Sequence, residues 1–167
     1  YSRYDEPKPG QSLLEANYFQ KLYYHKLGQP QSEDKLIYER RDEKEWGFGG
    51  YVTEDGRYLI ISVRRGAEPK DQLFYLNLEQ PDAKVVELIT GFDAQYNFLG
   101  NEGPVFWVHT DWQAPRGRIV AVDTRKPERD AWKEVVPEAA ETISAATLVG
   151  ERFIVNYLRD AYSQVKL

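Results

Sequence analysis

The chain reads as an all-β protein, a partial β-propeller of about three four-stranded antiparallel blades, and three observations lead there. A turn, an apolar strand and a polar exit recur at residues 53–66, 102–108 and 150–157. Gly56, Gly103 and Gly150 each follow one another by 47 positions, a spacing that belongs to stacked or radial repeats. Short apolar or alternating runs broken by Gly, Asp, Asn and Pro fill the chain from residue 21 onward, and no stretch keeps the period of an amphipathic helix.

Residues 2–20 carry Pro7, Pro9 and Gly10 among charges and show no sustained period. Pro-Lys-Pro-Gly continues neither a helix nor a central strand, so a long loop is expected here, with a short helical turn over 13–17. Residues 21–27 read as an aromatic-rich strand stopped by Gly28 and Pro30, and 35–39 as a second strand. Both would belong to a blade preceding the repeats, spanning 21–45. Gly47, Phe48, Gly49 and Gly50 look briefly like a phosphate loop, but no Gly-Lys follows and the run leads into a strand. Close backbone packing at the start of a new sheet is the better account.

That sheet comprises strands at 46–52, 58–63, 72–78 and 85–89. Asp55-Gly56 supplies the hairpin turn between its first two. The strand at 58–63 is apolar on both alternating sets apart from Ser62, which predicts cover on both faces. A second set of four follows at 96–99, 105–109, 118–122 and 132–136, and a third is cut off after strands at 145–149, 153–158 and 164–167. Blade-sized units are therefore expected at 46–95, 96–143 and 144–167, all parts of one propeller domain. Three do not close a ring of roughly 4 to 8 blades. A start at Tyr1 and the absence of Met add to the expectation that the chain is a piece of a longer protein.

Composition narrows the function classes. With 41% hydrophobic and 29% charged residues the balance is that of a soluble globular protein, and no apolar run approaches the ~20 residues of a membrane helix. No membrane partner is expected. A net charge of -5 argues against nucleic acid, whose proteins carry a basic face. There is no Cys, hence no disulfide, thiol nucleophile or Cys-based zinc site, which is compatible with a cytoplasmic location and leaves a periplasmic one open.

Catalytic chemistry is missing from the sequence. Ser2, Ser12, Ser32, Ser62, Ser144 and Ser163 all lie outside a Gly-x-Ser-x-Gly frame, so the strained turn that exposes a hydrolase nucleophile is not encoded. His25 and His109 are too few for a three-His zinc site and are better read as packed or hydrogen-bonded side chains. No metal or other cofactor is expected, and no pair of carboxylates is singled out. Arg64 and Arg65 directly follow a buried strand, so either a solvated pair or a rigid rim donor to a carbonyl or carboxylate is consistent with their position.

Four linked stretches resemble the propeller of the prolyl oligopeptidase family. They are residues 21–28 (KLYYHKLG) with Ser32-Glu33-Asp34; Asp55-Gly56-Arg57-Tyr58-Leu59; Ser62-Val63-Arg64-Arg65-Gly66; and Asn101-Glu102-Gly103-Pro104-Val105-Phe106. The similarity runs over essentially the whole chain. It implies a seven-bladed propeller capping an α/β-hydrolase domain with a Ser-Asp-His triad, in an enzyme that cleaves short peptides after proline while the propeller limits substrate size. This chain would supply about blades three to five. The remaining blades, the hydrolase domain and proline-containing short peptides would be its partners, and the catalytic residues would lie elsewhere.

The resemblance also implies site roles. Arg64 matches an arginine that extends from the propeller to hydrogen-bond substrate backbone. Ala67 matches a position that can be cysteine. The 2–20 segment matches a mobile loop implicated in substrate entry, with Tyr4, Pro7, Pro9, Gly10 and Tyr18 as its gating positions. Two other classes stay open: a non-enzymatic propeller that binds a partner protein, and the propeller of a related oligopeptidase with basic preference.

Overall fold

The computed structural model describes residues 1–6, 16–160 and 162–166. The described residues form fourteen strands and no α-helix. They are β1 (Ser2–Arg3), β2 (Lys21–Tyr24), β3 (Lys35–Glu39), β4 (Trp46–Val52), β5 (Tyr58–Arg65), β6 (Asp71–Asn77), β7 (Val86–Ile89), β8 (Tyr96–Glu102), β9 (Val105–Thr110), β10 (Arg118–Asp123), β11 (Lys133–Val136), β12 (Thr142–Val149), β13 (Arg152–Arg159) and β14 (Tyr162–Lys166). Two single 3₁₀ turns interrupt them, at Gln31–Glu33 and Arg129–Ala131. The strands make four sheets, ordered β1-β2-β3, β4-β5-β6-β7, β11-β10-β9-β8 and β12-β13-β14. Each sheet is a meander of sequential neighbours, the all-β repeat that the 47-residue spacing predicts.

Two details depart from the expectation. Ser2 and Arg3 are a strand, paired to Leu22 and Lys21, where a loop from residue 2 was expected. An edge strand needs only backbone groups to pair, so two polar residues give no periodic signal. The expected helical turn over 13–17 lies partly outside the described residues; Asn17 itself is not helical.

The repeat is set by backbone conformation. Gly56, Gly103 and Gly150 have φ of 73°, 52° and 59° and each turns the first strand of a sheet into the second. The loops at 103–104 and 150–151 are two residues long, and glycine is favoured there because φ is positive at the first central position. A second series, only partly visible in the residue types, follows the second strand of the last three sheets: Gly66, Gln113 and Asp160 have φ of 54°, 50° and 46°. These also lie 47 apart.

The chain forms two compact units, one of residues 1–68 with 74–87, the other of residues 69–73 with 88–167. In the first, Leu22, Phe48, Ile60, Ile61 and Val63 are buried. Tyr38 sets its ring edge-on to Phe48 at 5.2 Å and to Phe74 at 5.9 Å. Gly50 admits Leu22, whose Cδ2 would lie 3.1 Å from any Cβ placed there. β5 is buried on both faces through Tyr58, Ile60, Ile61 and Val63. In the second unit Ile119, Ile143, Val155 and Tyr157 form a core with Leu99, Trp107, Val136 and Phe153 packed on it.

Successive sheets are fastened at similar points, from the approach to an inner strand (β2, β6 or β10) to the first strand of the next sheet. The Phe48 N–H donates to Gln20 Oε1 at 2.6 Å. The Tyr96 N–H donates to Asp71 Oδ1 at 2.7 Å, and the Ile143 N–H to the Arg116 carbonyl at 2.8 Å. First strands sit at sheet edges and carry unpaired amides, so each bond satisfies a donor that burial would otherwise leave open.

Candidate functional site

Arg64 lies at the exit of β5, one residue beyond the buried Val63 and directly opposite Gly47 of β4. Because strand side chains alternate, the positions sharing the Arg64 face on β4 are 47, 49 and 51. The nearest is a glycine, so nothing on the facing strand covers the guanidinium. A Cβ at Gly47 would lie 3.3 Å from Gln20 Oε1, the atom that holds the Phe48 N–H, so the bare position is kept by close approach as well. Past the strand, the Gly66 N–H donates to the Glu45 carbonyl at 3.1 Å and extends the β4–β5 register by one pair.

Around this exit lies a cleft of about 510 Å³ lined by Tyr4, Asn17, Tyr18, Gln20, Glu45, Gly47, Arg64 and Gly66. Gly47 and Gly66 contribute backbone to its lining, with Gln20 Oε1 close over Gly47. Tyr4 and Tyr18 contribute partly exposed rings, and Lys44 Nζ sits 4.8 Å from the centre of the Tyr18 ring. Of the residues expected at a gate, Tyr4 and Tyr18 thus meet Arg64 in one cleft, whereas Pro7, Pro9 and Gly10 lie outside the described residues. Ala67 is exposed in the turn after Gly66 and does not line the cleft.

The neighbouring arginine behaves differently. Arg65 donates from Nε and Nη2 to the two carboxylate oxygens of Glu68 at 2.9 and 2.8 Å, a planar fork-to-fork pair. Arg40, Arg57, Arg118, Arg125 and Arg129 likewise hold carboxylate partners. Among the described residues Arg64 makes no side-chain hydrogen bond or ion pair. Sequence reasoning singled out Arg64 but missed Asn17, Gln20, Glu45 and Gly47. The available signal was register: counting back from the Asp-Gly turn places 47 opposite 64 and 45 opposite 66.

His25 is hydrogen-bonded and His109 is packed. His25 Nδ1 contacts Asp34 Oδ1 at 2.6 Å, and the Tyr1 hydroxyl donates to the second oxygen of Asp34. The Tyr1 hydrogen bond, with His25 beside it, holds the Asp34 carboxyl below its ordinary value. His109 is half-buried in β9, with Nε2 enclosed and without a hydrogen-bond partner among the described residues. Burial pushes its imidazole down, opposed in part by Asp111. Among the described residues no cluster of three or more His, Cys, Asp or Glu could hold a metal ion.

Successive antiparallel meanders of three or four strands, each fastened by an inner strand to the first strand of the next, define a section of β-propeller. All 167 residues match the family model described as prolyl oligopeptidase, N-terminal beta-propeller domain, and the chain belongs to that family. It is 36% identical over 166 residues to the prolyl endopeptidase of Elizabethkingia meningoseptica, covering 99% of this chain and 23% of that protein. It is 35% identical over 121 residues to prolyl oligopeptidase A of Amanita bisporigera, covering 70% of this chain and 16% of that one. A solved prolyl endopeptidase, studied for the role of inter-domain dynamics in catalysis and specificity, superposes with a TM-score of 0.83 at 30% identity over 99% of this chain and 23% of its own. Prolyl oligopeptidase B from Galerina marginata, bound to a 35mer hydrolysis and macrocyclization substrate, shares the fold with a TM-score of 0.87 at 22% identity, over 99% of this chain and 23% of that one. The chain therefore spans about a quarter of the length of the Elizabethkingia relative and of the two solved proteins.

Proposed function

We propose that this chain is the propeller section of a prolyl oligopeptidase-type serine endopeptidase that cleaves short peptides after proline. Its part is to restrict substrate size and to supply one charged contact, from Arg64, to substrate backbone. The chain encodes no nucleophile elbow, so bond cleavage falls to an α/β-hydrolase domain of the whole protein. Tyr4 and Tyr18 border the route to Arg64 and act as its gate.

The observation that carries this reading is that Arg64, at a strand end in the cleft, has no side-chain hydrogen bond or ion pair among the described residues. A cation without a partner among the described residues has donors to offer a ligand. The test is steady-state kinetics of the full-length protein on short proline peptides. Arg64→Ala is expected to lower kcat/KM by about ten- to a hundredfold, the scale of a lost charge-assisted hydrogen bond. Arg65→Ala, which removes an exposed arginine paired with Glu68, should leave kcat/KM within about twofold. Equal effects of the two substitutions, or none from Arg64→Ala, would remove Arg64 from the site.

A further inference from the structure

We propose that His109 is a proton-operated release for the seam between the β8–β11 sheet and the β12–β14 sheet, opening one end of that seam in mild acid while the chain otherwise stays folded. The imidazole sits in β9, directly opposite Ile119 of β10 and Asn97 of β8. Within β9 it shares a face with Trp107, whose ring meets Phe153 of β13 edge-on at 5.8 Å. That face is the one turned to the next sheet.

The seam has two unlike ends. One is apolar: a Cβ on Gly100 of β8 would lie 2.7 Å from Leu148 Cδ2 of β12 and 3.6 Å from the Trp107 ring. The other end holds His109. Gly117 lies against both the imidazole and β12, since a Cβ placed on it would stand 2.6 Å from His109 Nε2 and 3.2 Å from Ile143 Cβ. The carbonyl of the residue before it, Arg116, accepts the Ile143 N–H at 2.8 Å, and Ile143 enters a core with Ile119, Val155 and Tyr157. The ring, the glycine and the bond that fastens the two sheets are therefore in series.

A proton has no place in that arrangement. The neutral ring can carry its hydrogen on Nδ1 and leave Nε2, enclosed and without a partner among the described residues, as a bare acceptor. In the imidazolium both nitrogens donate, and a charged N–H enclosed with nothing to accept it is the costly case for a buried polar group. Burial accordingly holds the imidazole below its ordinary value. The surrounding charges do not offset this. Asp111, just after β9, opposes the shift only in part, and one of its oxygens already accepts the Gln95 N–H at 2.7 Å. Glu138 takes the Arg116 N–H at 2.7 Å, Arg118 pairs with Glu134, and Glu141 faces Arg159 and Lys166 at 3.8 Å. Asn97 on β8 is uncharged. Because Gly117 closes over Nε2, the imidazolium reaches water when Gly117 and Ile143 part and the Arg116 bond is lost, with the apolar end of the seam as the hinge.

The experiment is hydrogen exchange read by mass spectrometry on the full-length protein between pH 7.5 and 4.5, corrected for the intrinsic pH dependence of exchange. It compares peptides spanning 140–147, which contain the Ile143 amide, with peptides spanning 46–52, where the Phe48 N–H makes a similar bond to Gln20. Between pH 7.5 and 5.5 opening at 140–147 should become about five- to tenfold more frequent, the limit for a proton bound only by the open form at an ordinary imidazole pKa. At 46–52 it should change by less than about twofold. His109→Gln and His109→Leu, both neutral, should each abolish the difference. Unchanged protection at 140–147 in the wild type would mean that the ring reaches water without parting the sheets, and overturns the proposal. An equal loss at both segments is a general acid effect and overturns it too, as does a loss at 140–147 that survives both substitutions and so belongs to Asp111, Glu138 or Glu141. Should neither variant fold, the wild-type onset decides: near ~6.5 it is an imidazole, whereas an onset below about 5 is a carboxylate and sinks the role of His109.

Discussion

Gly47 stands directly across the β4–β5 ladder from Arg64, and the missing side chain on one strand is what leaves the charged one on the other open. Gly47→Val is therefore expected to narrow the cleft. Its Cβ would meet Gln20 Oε1 at 3.3 Å, an amide end that can give by a few tenths of an ångström. Stability should fall modestly, by about 1–2 kcal/mol of overpacking. Activity of the full-length protein on proline peptides should fall by more than that loss accounts for. Urea denaturation beside kcat/KM separates the two effects, and unchanged kcat/KM in a folded variant would show that this part of the cleft is not used.

Asp71→Ala should cost about 1–3 kcal/mol, because the Tyr96 N–H that donates to Asp71 Oδ1 at 2.7 Å belongs to a residue that is 1% exposed and would be left without its acceptor. Asp71→Asn should recover much of the loss, since its side-chain carbonyl can still accept. Thermal unfolding of the two variants checks the order.

Gly117→Ala combines two penalties. Gly117 has φ of 85°, which L side chains rarely adopt, and a Cβ there would stand 2.6 Å from His109 Nε2 and 3.2 Å from Ile143 Cβ. A loss of about 2–3 kcal/mol is expected. Gly56→Ala has a positive φ but open space around it and should cost about 1 kcal/mol. Equal losses in the two would show that the crowding at Gly117 relaxes freely.

The pH dependence of stability should carry a contribution from His109. Burial lowers its folded pKa, so below the unfolded value of ~6.5 the unfolded chain binds the proton that the folded chain refuses. Stability is then complete above that value and declines as pH falls below it. Urea unfolding between pH 7.5 and 5.5 should show a shallower decline for His109→Gln than for the wild type; parallel declines would show that His109 does not contribute.

At more acidic pH Asp123 takes over. Arg125 lowers its folded pKa to about 2, mainly through the side-chain hydrogen bonds Arg125 Nε and Nη2 donate to it. The depressed value means that this pair stabilises above the ordinary carboxylate range and is lost as pH falls toward 2. Because the pair is exposed, Arg125→Ala should change stability little at neutral pH; its signature is a raised Asp123 pKa by carboxylate NMR titration.

The fold was legible in the sequence because its signals are local. Asp55-Gly56, Gly103-Pro104 and Gly150 mark hairpins through the backbone freedom of a single residue, and the two-sided apolar run of β5 follows from its own composition. The companion series at Gly66, Gln113 and Asp160 was only partly legible, since only the first is a residue that announces positive φ. Ser2–Arg3 was missed for a related reason: a two-residue edge strand is defined by its partner.

The site divides in the same way. The sequence alone determined that the chain is a repeated β structure, that it carries no nucleophile elbow and no cysteine, and that Arg64 and Arg65 lie where a buried strand ends. Tertiary structure decided which arginine lacks a partner among the described residues. Arg65 finds Glu68 three residues on, whereas Arg64 is left open by a glycine seventeen residues earlier and shares its cleft with Tyr4, sixty residues away. Pairing register and the folding of distant segments onto one strand end fix what surrounds a charge, and neither is written in the residues beside it.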